Sequence, residues 1–249
     1  MDLGIAGKVA LVTGASKGIG RAIAAELVAE GAHVAVSSRS RERIEAAAAE
    51  VGARPFVHDS ADLDGVPALC DAVAAALGPI EILVTNSGGP PADPDSLAFS
   101  REQWEAAHRE LVLSPLALAA YVLPGMRARR FGRILNVGSS TMREPAPALM
   151  LSNTERSGVL AAFKTIARQV AGDGVTVNSL LPGRVATNRL FELLGSREAA
   201  ERAAREEVPA GRLGVVEELA SAAAFLCSDR ASYITGVALL VDGGLTRAT

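Results

Sequence analysis

Val9–Gly20, with the sequence VALVTGASKGIG, is the stretch from which the fold of this chain is predicted. Its first four residues form an apolar run long enough for one buried strand. Gly14, Gly18 and Gly20 then follow, and residues 21–27 have the three-to-four spacing of apolar side chains that is typical of a helix. Because glycines let the backbone approach phosphate oxygens and a helix N-terminus supplies N–H groups, the stretch predicts a pyrophosphate pocket. The alternative is an ordinary tight turn.

Length and composition favour one α/β domain over residues 1–249. The net charge is −3 and no basic run occurs, which argues against a nucleic-acid surface. The first residues, MDLGIAGK, lack the basic and apolar segments of a secretion signal. Residues 111–126 form the longest apolar region, which is too short for a membrane span. We therefore expect a soluble, cytoplasmic protein without a membrane partner.

The two cysteines, Cys70 and Cys227, both lie in apolar segments with a helical pattern. Buried free thiols are therefore expected, rather than a disulfide or a metal site. We expect no bound metal.

Short apolar runs alternate with helical patterns along the rest of the chain. The further predicted strands cover residues 33–38, 55–58, 80–85, 133–137, 175–180 and 237–241. The predicted helices cover residues 41–51, 63–77, 101–128, 147–171, 188–207 and 216–227. Because the strands are continuously apolar, helices should cover both faces of their sheet. The pattern predicts a Rossmann-type, doubly wound parallel sheet in three layers (α/β/α), with ligands at the carboxyl ends of the strands.

Polar residues follow three of these strands and point to a dinucleotide. A ribose 2′-hydroxyl is usually held after the second strand by an acidic residue, and a 2′-phosphate by an arginine. Here Ser38 and Arg39 stand at that place, and Lys17 lies in the glycine turn. Two cations near one ribose predict NADP(H) rather than NAD(H), the alternative being two solvated surface charges. Asp59 could hydrogen-bond an adenine or cap a helix, and the small side chains of residues 86–89 would let a ribose approach.

Five motifs occur in one order along the chain: TGASKGIG (13–20), TNSGG (85–89), GRILNVGSS (132–140), VNSLLPGRVAT (177–187) and ITGVALLVDGG (234–244). On these motifs the chain resembles the short-chain dehydrogenase/reductase family, nearest to its 3-oxoacyl-carrier-protein-reductase-like members. The resemblance implies that Pro182, Gly183 and Thr187 flank a nicotinamide. It also implies that long helices around Ala117 and Ala162 pack between subunits of a homo-oligomer, a tetramer or a dimer. The candidate cofactor-binding residues are then Gly14, Ser16, Lys17, Gly18, Ile19, Gly20, Ser38, Arg39, Asp59, Ser60, Asn86, Ser87, Gly88, Arg156, Pro182, Gly183, Val185 and Thr187.

The catalytic group of the resembled family is only partly present. That family uses Asn, Ser, Tyr and Lys, the last two as Tyr-x-x-x-Lys, a motif that this chain lacks. Read forward without gaps from Gly132, Ser139 falls on the serine, Ser152 on the tyrosine and Arg156 on the lysine. When the alignment is read back to Trp104, Leu111 falls on the asparagine.

The replacing residues are not equivalent acids. Arg156 can hold a fixed positive charge but cannot act as a general acid, since its guanidinium does not lose a proton. Ser152 is a far poorer acid than a phenol. It also begins the pattern S-x-x-E with Glu155, which is typical of a helix cap. Loss of a positioned general acid typically lowers a rate by about 10²–10⁴-fold.

Pro115 predicts a local break beside the missing asparagine. A proline cannot donate to the carbonyl four residues back, which here is that of Leu111. We therefore expect a kink and a free carbonyl, and one hypothesis is that this carbonyl holds a water near Arg156. The alternative is simply a kinked core helix.

Two functions fit the sequence. The first is an NADP(H)-dependent oxidoreductase that acts on a carbonyl or activated double bond of a small or acyl substrate. In it, Ser139, Ser152 and Arg156 are the candidate catalytic residues, and residues 189–212 form a substrate lid. The second is a cofactor-binding homologue without dehydrogenase activity, acting as a sensor or a partner subunit.

Overall fold

Seven parallel strands form one sheet. The structure, a computed structural model, describes residues 2–248, so Met1 and Thr249 of the predicted domain lie outside the described residues. The strands are β1 (Val9–Thr13), β2 (His33–Ser38), β3 (Arg54–Val57), β4 (Ile82–Thr85), β5 (Gly132–Val137), β6 (Val175–Pro182) and β7 (Ala238–Val241). They pair in the order β3-β2-β1-β4-β5-β6-β7, all parallel. The predicted doubly wound sheet is confirmed.

Helices cover both faces of this sheet. They are α1 (Gly18–Ala29), α2 (Arg41–Val51), α3 (Val66–Leu77), α4 (Arg101–His108), α5 (Ser114–Arg129), α6 (Met150–Val170), α7 (Asn188–Leu194), α8 (Arg197–Glu207) and α9 (Val216–Leu226). Buried side chains of α1, α2 and α9 form one core with the strands, and those of α3, α5 and α6 form the other. The three layers follow, because each apolar strand buries side chains on both sides.

One predicted helix is divided in two. The helical pattern of residues 188–207 is interrupted at Gly195, whose backbone is left-handed with φ 86°. Ser196 then caps α8 by accepting a hydrogen bond from the N–H of Ala199 at 3.1 Å. Glycine tolerates this conformation at little cost, so it ends one helix and allows the next to start in a new direction.

The longest helix extends beyond residues 111–126, the longest apolar region of the sequence. α4, a π turn at Arg109–Leu113 and α5 run together over Arg101–Arg129, 29 residues with a mean hydropathy of 1.5 in the most apolar window. By length and composition alone, such a helix could cross a membrane. Leu118, Val122 and Met126 are instead buried in the core that α5 shares with the sheet.

Cys70 and Cys227 are both buried free thiols, as predicted. Burial raises the pKa of Cys70 to about 11 and that of Cys227 to about 12. The thiolate is the reactive form, and these thiols are neutral at ordinary pH.

We expect neither thiol to react with Ellman's reagent in the native protein at about pH 8, because thiol and reagent are separated by the packed core. Both should react once the chain is unfolded in guanidinium chloride. Rapid reaction of one thiol per native chain would contradict this assignment.

Candidate active site

The glycine turn after β1 has no room for a side chain at Gly14 or Gly20. Gly14 and Gly18 have φ of 58° and 59°, a backbone region that glycine favours. A Cβ on Gly14 would lie 2.4 Å from the carbonyl oxygen of Asn86, and one on Gly20 would lie 2.7 Å from the carbonyl oxygen of Gly14. α1 begins at Gly18, so its unpaired first N–H groups lie at this turn. The arrangement can accept a phosphate against bare backbone.

Asn86 braces this turn. Its side-chain amide donates to the carbonyl of Gly14 at 2.9 Å, and its backbone N–H donates to Thr13 Oγ1 at 3.0 Å. Thr13 Oγ1 in turn donates to the carbonyl of Asn86 at 2.9 Å. β1 and β4 are neighbours at the point where the strand order reverses, which is where doubly wound folds bind ligands. The sequence did not identify Thr13, whose position at a strand end gave no chemical signal.

The two predicted cations lie free at the ends of β1 and β2. Lys17 and Arg39 are exposed, and among residues 2–248 no carboxylate lies within 4.0 Å of either. Ser38 beside them is half-buried. Asp59 is exposed and accepts a hydrogen bond from the N–H of Ala61 at 3.0 Å, forming a turn. Its alternative role as a helix cap is wrong, because α3 begins later, after Gly65.

The other end of the cleft is formed after β6. Pro182 is the last residue of that strand, and Val185 pairs with Gly214 in an isolated parallel bridge. Thr187 caps α7 by accepting from the N–H of Leu190 at 3.3 Å. A Cβ on Gly18 would lie 3.8 Å from Thr187 Cγ2. The glycine turn and the segment before α7 therefore face each other closely across the cleft. The other predicted residues of the cleft, Ser16, Ile19, Ser60, Ser87, Gly88 and Gly183, are half-buried or exposed.

Ser139 lies just beyond β5 with its hydroxyl proton available. Its Oγ accepts hydrogen bonds from the N–H of Thr141 at 3.2 Å and from Thr141 Oγ1 at 3.1 Å. With its acceptor sites used in this way, the hydroxyl can still donate. Ser139 is half-buried, so a ligand in the cleft could receive that hydrogen bond.

The predicted cap at Ser152 is wrong. A 3₁₀ turn at Pro147–Leu149 leads directly into α6, so Ser152 lies inside the first turn and no side chain caps this helix. Glu155 instead pairs with Nδ1 of His108 at 2.8 Å. Ser152 and Arg156 are both buried and, four residues apart, share one face of α6. Because Ser152 does not cap the helix, its hydroxyl is available for another role.

Arg156 is buried and joins the end of β5 to the loop after β4. Its Nη1 donates to the carbonyl of Val137 at 3.0 Å, and its Nη2 to the carbonyl of Gly88 at 3.4 Å. No carboxylate of residues 2–248 lies within 4.0 Å of it. Burial lowers the pKa of Arg156 to about 10, with Arg189 adding to the shift and Glu110 opposing it. The guanidinium therefore remains a cation at neutral pH.

The helix continues through Leu111 but changes there from an α to a π hydrogen-bond pattern, and the predicted kink and free carbonyl stay predictions. Residues 109–113 form a π turn in which the N–H of Ser114 donates to the carbonyl of Arg109, five residues back. Pro115 has no N–H to continue the α-helical pattern. The water hypothesis at the Leu111 carbonyl stays a prediction.

Two polar residues that the sequence did not identify adjoin Arg156. Asn136 and Glu110 line a small cavity of about 10 Å³ together with Arg156 and Leu111. Asn136 stands as a polar residue inside a buried strand, which is the one signal that could have revealed it. Glu110 directly precedes Leu111, the position of the resembled family's asparagine, but a charged residue on an amphipathic helix is ordinary.

The tyrosines lie away from this site. Tyr121 is partly exposed and donates from its hydroxyl to Asp71 at 2.6 Å. Tyr233 is fully exposed. Neither phenol lines the cavity beside Arg156, so neither replaces the missing acid there.

Known proteins resemble this chain over nearly its whole length. A family model described as Enoyl-(Acyl carrier protein) reductase matches residues 14–246. The 3-oxoacyl-[acyl-carrier-protein] reductase FabG of Haemophilus influenzae is 38% identical over 241 residues, which cover 96% of this chain and 98% of that protein.

Two solved structures also resemble this chain over nearly its whole length. L-sorbose reductase from Gluconobacter frateurii, crystallised with NADPH and L-sorbose, is 33% identical with a TM-score of 0.92 over the whole of both chains. YwfH, an NADPH-dependent reductase involved in bacilysin biosynthesis, is 27% identical with a TM-score of 0.91 over 97% of this chain and 99% of that one. With its glycine turn, strand order and full-length match, this chain belongs to the short-chain dehydrogenase/reductase family of oxidoreductases.

Proposed function

We propose that this protein is an NADP(H)-dependent oxidoreductase that acts on a carbonyl or activated double bond of a small or acyl substrate. The observation that carries the proposal is the glycine turn, which excludes a Cβ at Gly14 and Gly20 and is flanked by two cations with no carboxylate partner among residues 2–248. The relatives named above are reductases, and two of the structures are described with NADPH.

The residues present fit a dinucleotide phosphate. The turn and the start of α1 would hold the pyrophosphate, and Lys17 and Arg39 would hold the 2′-phosphate. Ser38 would lie beside the same ribose, and Pro182, Gly183 and Thr187 would flank the nicotinamide. When bound, NADP(H) supplies or takes up the hydride.

At the reacting end, the chain offers hydroxyls and a fixed cation. Ser139 donates to the substrate oxygen, and Arg156 holds positive charge beneath it, so both stabilise negative charge as it develops there. Ser152, on the same face of α6 as Arg156, is the hydroxyl that falls on the position of the family's tyrosine. Arg156 itself moves no proton.

Residues 189–212 are proposed as the substrate lid. Arg189 donates from Nη2 to the carbonyl of Pro90 at 2.5 Å and so connects the lid to the loop after β4. The lid carries four half-buried apolar side chains, which favour a substrate with an apolar part: Leu190, Phe191, Leu193 and Leu194.

A homo-oligomer is part of the proposal. Only 39% of the apolar window of the helix Arg101–Arg129 is buried within the chain. Tyr121, on α5, is 39% exposed, and Ala117 is half-buried one turn earlier. An apolar helix face of this kind is best covered by a second copy of the same helix.

The direct test is turnover of NADPH with a panel of ketones, ketoses, 3-oxoacyl thioesters and enones. We expect oxidation of NADPH with at least one substrate class and lower turnover by Ser139→Ala and Arg156→Ala. Tight NADPH binding without any hydride transfer would instead favour a sensor or partner subunit. Turnover that both variants leave unchanged would reject the site.

Arg39→Ala should raise the KM for NADPH about tenfold and leave the KM for NADH within about twofold. Loss of one phosphate contact is worth about 1.4 kcal/mol, which corresponds to this ratio. Arg41→Ala, which removes an exposed arginine paired with Glu45 on α2, is the matched control. Equal effects of Arg39→Ala on both cofactors would contradict a 2′-phosphate site.

A further inference from the structure

A small polar cavity lies beside Arg156, under the loop after β4. Its volume is about 10 Å³, close to the space that a single water needs. Asn86, Ser114 and Asn136 line it together with Arg156. Hydroxyl, amide and guanidinium groups thus converge on a space of the size of one water.

Asn136 gives this cavity an unsatisfied donor. The residue is 5% exposed, and its Oδ1 accepts from Thr85 Oγ1 at 3.0 Å. Its Nδ2 has no hydrogen-bond partner among residues 2–248. A buried amide donor is normally paired, so this one indicates a polar occupant of the cavity.

A second, much larger cavity opens on the protein surface. It measures about 570 Å³, and most of its lining residues are exposed, including Glu105, His108 and Arg109. Of the described residues, Glu110 alone lines both cavities. Its side chain therefore lies where the two cavities adjoin.

The π turn places Glu110 there. Residues 109–113 close a hydrogen bond over five residues instead of the four of an α-helix, so the side chains of this segment are rotated relative to a regular helix. Leu111 is buried, whereas Glu110 is half-buried. Such bulges are frequent at functional sites.

Charged groups from three other elements surround Glu110. Burial raises its pKa, and Asp59, which follows β3, raises it further. Arg39, after β2, and Arg156, on α6, lower it in part. On the surface side, the cavity also carries Glu105, His108, Arg109 and Glu155, and His108 is hydrogen-bonded to Glu155 at 2.8 Å. A carboxyl in these surroundings exchanges its proton nearer to neutral pH than an ordinary glutamate.

We propose that Glu110 is the proton-exchanging residue of this site, which carries protons between the surface cavity and the small polar cavity beside Arg156. The inference rests on the proposed reductase function. It assigns an ionisable group to a site in which Ser152 and Arg156 cannot serve as one. Glu110 acts through other groups and is a positioning residue rather than a residue that touches substrate.

The reaction balances as follows. Reduction of a C=O bond adds a hydride to carbon, with NADPH oxidised to NADP⁺, and one proton to oxygen. That proton leaves the Glu110 carboxyl and reaches the oxygen through a polar group that lines the cavity beside Arg156 and accepts one proton as it releases another. Glu110 then takes a proton from water in the surface cavity.

The test is the pH dependence of Glu110→Gln and Glu110→Asp in the full-length protein. In the wild type, kcat for reduction should fall as the pH rises through the raised pKa, because the protonated carboxyl is the donor. Glu110→Gln should lower kcat about 10²-fold and remove this dependence, with both KM values within about twofold. Glu110→Asp should restore part of kcat and the pH dependence. Glu102→Gln, an exposed glutamate on α4, is the control.

A second readout needs no turnover. A carboxyl whose pKa is raised by folding makes the free energy of unfolding fall as the pH rises from its ordinary pKa to the raised one. Glu110→Gln should remove this fall. If the wild type reduces no substrate, the proposed function fails, and this comparison still decides whether Glu110 exchanges a proton in the folded protein. Equal slopes in wild type and Glu110→Gln, or an unchanged kcat profile in an active variant, would overturn the inference.

Discussion

Gly14→Ala is expected to weaken NADPH binding at least about 100-fold, or about 2.8 kcal/mol. The new Cβ would lie 2.4 Å from the carbonyl oxygen of Asn86, closer than any carbon–oxygen contact allows. A backbone with φ 58° also costs an alanine about 1–2 kcal/mol. The turn must move, and with it the N–H groups that face the pyrophosphate. Calorimetric titration with NADPH measures the loss directly.

Gly7→Ala is the matched control for this experiment. Gly7 has φ 76°, yet nothing lies within 4 Å of its added Cβ. This variant therefore has the backbone strain without the contact, and we expect it to lose stability but keep its NADPH affinity. Wild-type affinity in Gly14→Ala would show that the glycine turn is not the pyrophosphate site.

Arg156→Leu has the second large expected effect. It leaves the buried carbonyl of Val137 without its donor, at about 1–3 kcal/mol, and removes the longer hydrogen bond to the exposed Gly88, with release of a buried charge as a partial offset. We expect a loss of about 1–3 kcal/mol in the free energy of unfolding and at least a 100-fold loss in kcat. Urea unfolding and NADPH oxidation measure the two effects separately.

Arg168→Leu is the control that distinguishes loss of the site from a general effect on α6. Arg168 is exposed on the same helix, α6, and its loss should change stability by no more than about 0.5 kcal/mol and leave kcat unchanged. Arg156→Lys keeps a positive charge but not the two-armed contact, so its stability should lie between those of wild type and Arg156→Leu. A fully active Arg156→Leu would remove Arg156 from the site.

The sheet was predictable because its signals are local. A continuous apolar run such as residues 9–12 is typical of a strand buried on both faces, and the glycines after it are typical of a turn. The order of such runs then fixes a doubly wound sheet, since crossovers are right-handed. Element ends were less predictable: Ser152 has the pattern of a cap, but the 3₁₀ turn at Pro147–Leu149 starts α6 before it.

The sequence by itself therefore determined the fold, the glycine turn and the absence of Tyr-x-x-x-Lys. Only the tertiary structure decided that Arg156 joins the end of β5 to the loop after β4, that Asn136 Nδ2 has no partner among residues 2–248, and that Glu110 lines two cavities. These facts depend on which distant segments meet. Apolar periodicity records whether a residue is buried, but it holds no information on the polar groups that burial brings together.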